Sequence, residues 1–169
     1  MSRSGYHDDM DDVLAHGRWR AQVRSATRGK RGQKLLREML SALDTMPEKR
    51  LAPFELEISA EADAKHAQRW AEIVKCDPAE YFERVLQRAP GVKDGDVCAL
   101  GALGKARGLD MSDLDPEDPD TVAGAFDVAS PLVREIVYMN DECSSYSETP
   151  EQRWQRMRRW VESQIVNAI

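Results

Sequence analysis

No stretch of the 169-residue chain approaches the ~18 apolar residues of a membrane span, so a spanning helix is excluded. Residues 1–12 hold no apolar core of the kind a secretory leader carries, and an intracellular, cytoplasmic setting is expected. Cysteine is scarce: Cys76, Cys98 and Cys143 are odd in number, widely spaced and without a CxxC pair. That excludes a disulfide framework and a zinc ribbon, and leaves isolated cysteines acting as small buried hydrophobes. His7, His16 and His66 have neither ligand nor triad spacing. Gly101, Gly104 and Gly108 lack the GxxxxGK[ST] order of a phosphate loop. Trp19, Trp70, Trp154 and Trp160 read as core or core-edge residues rather than a stacking platform. No catalytic residue, metal ligand or cofactor is therefore expected.

What the chain has in quantity is charge, unevenly placed. Thirty acidic against 24 basic side chains give a net charge of −6, which argues against indiscriminate coating of nucleic acid or membranes. Residues 16–37 carry eight Lys/Arg and no Asp/Glu, whereas residues 109–127 carry seven acidic groups and no basic one.

Apolar periodicity is helical. Leu35, Leu36, Met39, Leu40, Leu43 and Met46 predict a helix over 34–46 that Pro47 stops. Val13, Leu14, Ala21 and Val23 mark an earlier helix within 10–28, with Gly29 and Gly32 as punctuation between the two. A helical pair is predicted at 60–75 and 78–88, the second opened by Asp77-Pro78-Ala79-Glu80 and striped by Tyr81, Phe82, Val85 and Leu86. Pro90-Gly91 closes it before a loop at 92–95. The small-residue run 97–104 reads as a closely packed central helix, with a short strand as the alternative. Asp118-Pro119 and Ser130-Pro131 are further starts, and Thr149-Pro150-Glu151-Gln152 is a capping box ahead of Trp154, Met157, Val161 and Ile165 on one face. The fold expected is mainly α: one compact multi-helix domain over 1–169, with a helical-hairpin insertion at about 58–93 and little or no strand.

Two charged surfaces are candidate sites. Asp110, Asp113, Asp115, Glu117, Asp118 and Asp120 form an acidic face suited to docking on a basic protein surface. They do not make a calcium loop, because Asp118 and Gly124 stand where glycine and glutamate are required. Arg24, Arg28, Lys30, Arg31, Lys34 and Arg37, with Gly29 and Gly32 among them, could hold phosphates of a nucleic acid or nucleotide through segment 18–37. The plainer reading is a solvated helix face, neutralised by the acidic segment of the same chain. Residues 121–137 fit a helix-turn-helix register, but Asp127 replaces the usual glycine and Arg134 is the second helix's sole cation, so a packing hairpin is expected.

The order of motifs resembles that of a family of small, mostly uncharacterised bacteriophage- and prophage-encoded proteins. The residues concerned are Trp19, the run 28–33, Leu36-Arg-Glu-Met-Leu40, Met46-Pro-Glu-Lys-Arg-Leu51, Gly95-Asp-Val-Cys-Ala-Leu-Gly101, Arg107-Gly-Leu-Asp-Met111, Val122-Ala-Gly-Ala-Phe126, Arg134-Glu-Ile136, Asn140-Asp141 and the Trp154 helix. They span about three quarters of the chain; the segment 58–93 looks like an addition to the shared pattern. The resemblance implies a phage origin and an intracellular setting, and no reaction. The function expected is a non-enzymatic accessory protein binding a host protein, as an anti-CRISPR-like inhibitor of host defence or in another takeover step. The alternative is nucleic-acid or signalling-nucleotide binding through the basic segment.

Overall fold

The computed structural model describes residue 4 and residues 13–75, 91–143 and 147–166. Among these the chain is helical with no sheet, as expected: α1 (Val13–Arg28), α2 (Lys30–Thr45), α3 (Ala60–Val74), α4 (Ala99–Arg107), α5 (Pro119–Phe126), α6 (Ser130–Val137) and α7 (Pro150–Gln164). A π turn, Tyr138–Glu142, extends α6.

The core forms around α2, which packs against α4 on one side and α7 on the other. Leu35, Leu36, Met39 and Leu43 are fully buried, at the spacing the sequence predicts. Each such side chain contributes roughly 1.5–3 kcal/mol on leaving water. Phe126, Leu132, Ile136, Met157 and Val161 close the core from α5, α6 and α7. Trp154 on α7 and Ile165 just past its end flank the buried pair at the core edge, and the Trp154 indole N–H donates to the Leu43 carbonyl at 3.0 Å.

The start signals work where a side chain can reach the free amides of the first turn. Asp118 accepts from the amides of Asp120 and Thr121, and Pro119 opens α5. The Thr149–Gln152 capping box is complete in both directions. Ser130 is not a cap, a correction: the helix begins one residue earlier, with Ala129 at the cap position and Pro131 in the first turn. α2 also begins earlier than predicted, at Lys30, because only Gly29 breaks the chain. Gly32 lies inside the helix, where a Cβ would stand 2.0 Å from the Ala26 carbonyl oxygen, so it serves close crossing of α1 and α2 rather than a turn. The inward face of α1 is Trp19, Val23, Ala26 and Thr27; Leu14 and Ala21, two of the apolar markers of this helix, are exposed.

The run 97–104 divides. Val97 makes an isolated antiparallel bridge with Glu57, and Cys98 caps the helix that starts at Ala99. A Cβ on Gly101 would lie 1.8 Å from the Leu56 carbonyl oxygen, so the small residues of α4 admit the segment 51–58 against the helix. That segment is tied to the one returning at 91–98. Ile58 donates to the Asp96 carbonyl and Gly95 to the Ile58 carbonyl, both at 2.8 Å, and Ala52 donates to Val97. The two ends of the predicted insertion therefore meet. Its first helix is α3, capped by Ser59; the second, with Cys76 and the Asp77-Pro78 start, lies outside the described residues. The hairpin of α5 and α6 packs as expected, with Asp127 in the left-handed region at φ 54° and Arg134 stacked over the Trp19 ring. Cys98 is buried, but Cys143 is exposed, against expectation.

Asn140 sits 2% exposed in the π turn and uses every polar atom of its amide. Its Oδ1 accepts from the Ala99 amide at 3.2 Å, and its Nδ2 donates to the Ala52 carbonyl at 3.0 Å and to Asp141 Oδ1 at 2.6 Å. Asn140→Leu leaves two buried backbone groups unpaired, at about 1–3 kcal/mol each, so urea denaturation should show a loss of about 2–6 kcal/mol. Glycine replacements should split by position: Gly101→Ala lowers the melting temperature because backbone must move, whereas Gly124→Ala, with open space at its Cβ in α5, raises it.

Candidate acidic groove and cationic face

One groove of about 630 Å³ is formed by the segment 55–57, the start of α3, Lys105 of α4 and the loop 109–116. Its lining includes six apolar residues, Leu56, Ala62, Leu109, Met111, Leu114 and Pro116, beside six carboxylates and two lysines. The lysines are engaged: Lys105 pairs with Glu57 at 2.8 Å, while Lys65 pairs with Glu61 at 3.0 Å and donates to the Ser112 carbonyl at 3.2 Å. The groove is left with a strong negative excess.

The structure divides the predicted acidic set. Asp110, Asp113 and Asp115 line the groove. Glu117, Asp118 and Asp120 lie beyond Pro116, where Asp118 caps α5 and Asp120 occupies its first turn, facing the positive end of the helix dipole. Several of these carboxylates also shape their own loop. Asp110 accepts from the Ser112 amide at 3.0 Å and hydroxyl at 2.7 Å, and Asp115 accepts from the Glu117 amide at 2.8 Å. The Ser112 amide, with its hydroxyl second, holds Asp110 below its ordinary pKa; the Thr121 hydroxyl, then its amide, does so for Asp118. Both therefore stay ionised well into acid. Asp113 is exposed and free of any cation at ion-pair distance among the described residues.

Glu55, Glu57, Glu61, Lys65 and Lys105 were not among the residues predicted for a site. Glu55, Glu57, Glu61 and Lys65 reach the groove from a segment far from the acidic loop in sequence, a meeting that no local spacing announces, whereas Lys105 stands at the end of α4 just before that loop. Phe54, the residue before Glu55 of the groove lining, was also missed. Its backbone is left-handed at φ 70°, a conformation that costs a non-glycine residue about 1–2 kcal/mol, and its side chain is 44% exposed. Asp141 Oδ1 holds it there by accepting from the Phe54 amide at 3.1 Å.

All six predicted basic residues are exposed and consecutive on α1 and α2. Neutralisation by the acidic segment amounts to one ion pair, Arg31 to Asp127 at 3.1 Å, with both partners more than two-thirds exposed. Lys34 lies 3.8 Å from Glu38, and Arg37 donates to the Val166 carbonyl at 3.0 Å. Arg20–Arg24, Arg24–Arg28 and Lys30–Lys34 are like-charged pairs four residues apart, each unfavourable to a helix by about 0.2–0.5 kcal/mol.

Comparison with protein-family models, with curated proteins and with solved structures found no match. Among the described residues no helix is long and apolar enough to cross a membrane, and no cluster of three His, Cys, Asp or Glu is placed to hold a metal ion. Function is therefore read from the groove and the cationic face.

The depressed values of Asp110 and Asp118 fix a sign. Such a carboxylate contributes stability that is full above its unfolded pKa, near 3.9, and is lost as pH falls through the lower folded value. A carboxyl-detected NMR titration should place both below that figure. Thr121→Val should move Asp118 upward and leave Asp110 unchanged.

Proposed function

We propose that this chain is a non-enzymatic binding protein whose groove takes a basic segment of a partner protein. The observation that carries this reading is the meeting of six carboxylates and six apolar residues in the lining of one groove. The carboxylates attract and steer arginine and lysine, while the apolar residues accept the apolar side chains between them. Asp110 is held ionised by its own loop, so the attraction needs no rearrangement on binding.

Phe54, exposed and next in sequence to Glu55 of the groove lining, is the aromatic anchor in this reading. Exposed aromatics of this kind dominate binding energy at interfaces, and a ring face adds a cation–π contact to an incoming arginine. The left-handed backbone at Phe54 is the cost of its presentation, offset by the Asp141 hydrogen bond. In the setting that the motif order implies, the chain is a bacteriophage-encoded cytoplasmic accessory protein. Its partner is a host protein, and its role is inhibition of a defence system, anti-CRISPR-like, or another step of host takeover.

Isothermal titration with a peptide alternating arginine and leucine should show one-to-one binding that weakens with salt. Asp113→Lys should abolish it. Phe54→Asn should weaken it at least tenfold while leaving folding stability within about 1 kcal/mol of wild type, since asparagine tolerates the left-handed backbone that phenylalanine resists. Purification from expressing host cells at low salt should recover a stoichiometric protein partner. Recovery of none, together with a silent titration, would remove the reading.

A further inference from the structure

The acidic groove uses no residue of α1 or α2, and the cationic face on those helices needs its own account. We propose that this face binds the phosphate backbone of duplex nucleic acid without reading its sequence. Arg20, Arg24 and Arg28 recur every four residues, so at about 1.5 Å rise per residue they stand about 6 Å apart in a row along α1. Gly29 then turns the chain into α2, whose first turns add Lys30, Arg31 and Lys34, all exposed. One strand of a duplex advances about 3.4 Å per phosphate along the axis, so a straight row of this spacing meets roughly every second phosphate.

Three features separate this face from an ordinary solvated surface. First, Arg20, Arg24, Arg28 and Lys30 have no carboxylate at ion-pair distance among the described residues, although the chain as a whole is acidic. Second, the row sets like charges side by side on one helix face, an arrangement that stability alone disfavours and that an opposing polyanion reverses. Third, the opposite face of α1 is fixed to the body: Trp19 lies beneath Arg134 of α6, and the Gln33 amide ties the Thr27 carbonyl at the end of α1 to the Gln164 carbonyl of α7, both at 2.9 Å. The row is thus held on a rigid support. The net charge of −6 does not prevent local binding, because at about 0.1 M salt charges more than about 10 Å away are largely screened. A duplex is favoured over a single strand because Trp19, the one aromatic on these two helices, is engaged inward and leaves no ring for base stacking.

Fluorescence anisotropy of the full chain with a short labelled DNA duplex of arbitrary sequence tests the inference. Affinity should fall with salt, the slope of log K against log salt being about −4, as four to five phosphate contacts require. Arg24→Glu should weaken binding at least tenfold and reduce that slope by about 1 or more. The same variant should melt no lower than wild type, since two repulsive pairs become attractive, so the loss cannot come from unfolding. Arg159→Glu on α7 changes net charge equally at another exposed cation and should leave duplex affinity within about twofold. No binding at low salt, equal losses for the two variants, or tighter binding to a single strand of the same length would each overturn the proposal.

Discussion

The architecture hangs on one buried amide. Asn140 joins the segment 51–58, the first turn of α4 and the π turn through its side chain, and joins α7 through its carbonyl, which accepts from Arg153 Nε at 2.9 Å and Arg156 Nη2 at 3.3 Å. The π turn makes this geometry available. Its wider hydrogen bond, from the Cys143 amide to the Tyr138 carbonyl, turns the carbonyls of Met139 and Asn140 toward the arginines of α7. Burial pushes the Arg153 guanidinium below its ordinary pKa, with Glu148 opposing that shift from 3.3 Å while it also pairs with Arg156 at 2.7 Å. In such a low-dielectric cluster each group is costly unless satisfied; Arg153 Nε is paired, while its Nη1 is buried with no hydrogen-bond partner among the described residues, so the bonds that are made hold the elements together.

That cluster reaches the candidate site by a short route. Asn140 donates to Asp141, and Asp141 accepts from Phe54, so the segment that leads into the groove at Glu55 is tied to the centre of the core. The same segment supplies Leu56 to the groove lining and its carbonyl to the close approach on Gly101. A strained aromatic can be kept on the surface because its backbone is fixed from behind. Strain of one or two kcal/mol needs only a well-satisfied hydrogen bond and a rigid flank to persist.

The parts legible from sequence are those whose signal is local. The stripe from Leu35 to Leu43, the Asp118-Pro119 start and the Thr149–Gln152 capping box each depend on residues within two turns of one another. Gly32 was misread as punctuation because a glycine for close packing and a glycine for a turn look alike without the partner helix. Leu14 and Ala21 mark the helix but not its buried face, because α1 buries a stripe centred on Trp19 and Val23, a choice made by α6 and not by α1 itself. The groove was half legible: the acidic loop stands out in composition, but Glu55 and Glu61 join it only through folding. Asn140 stood out only as part of the Asn140-Asp141 pair in the motif order; its structural role had no local signal, since its partners lie at 52, 99 and 153.

Charge segregation follows from the same packing. α1 and the start of α2 carry only cations, and the segment 109–127 carries only anions, yet a single exposed pair, Arg31–Asp127, joins the two segments. An exposed pair of that kind is worth about 0–1 kcal/mol, too little to draw the faces together against the geometry set by the core. Because apolar burial around α2 and the Asn140 cluster fix where the helices lie, the charges are free to remain apart. Each face then presents its own sign over a distance comparable to the screening length, and a partner of either charge meets an unneutralised surface. A fold held by electrostatic pairing of its charged segments could not offer both. A fold held by its core and two or three satisfied buried amides can, and that division of labour allows the two proposed surfaces to coexist on one small chain.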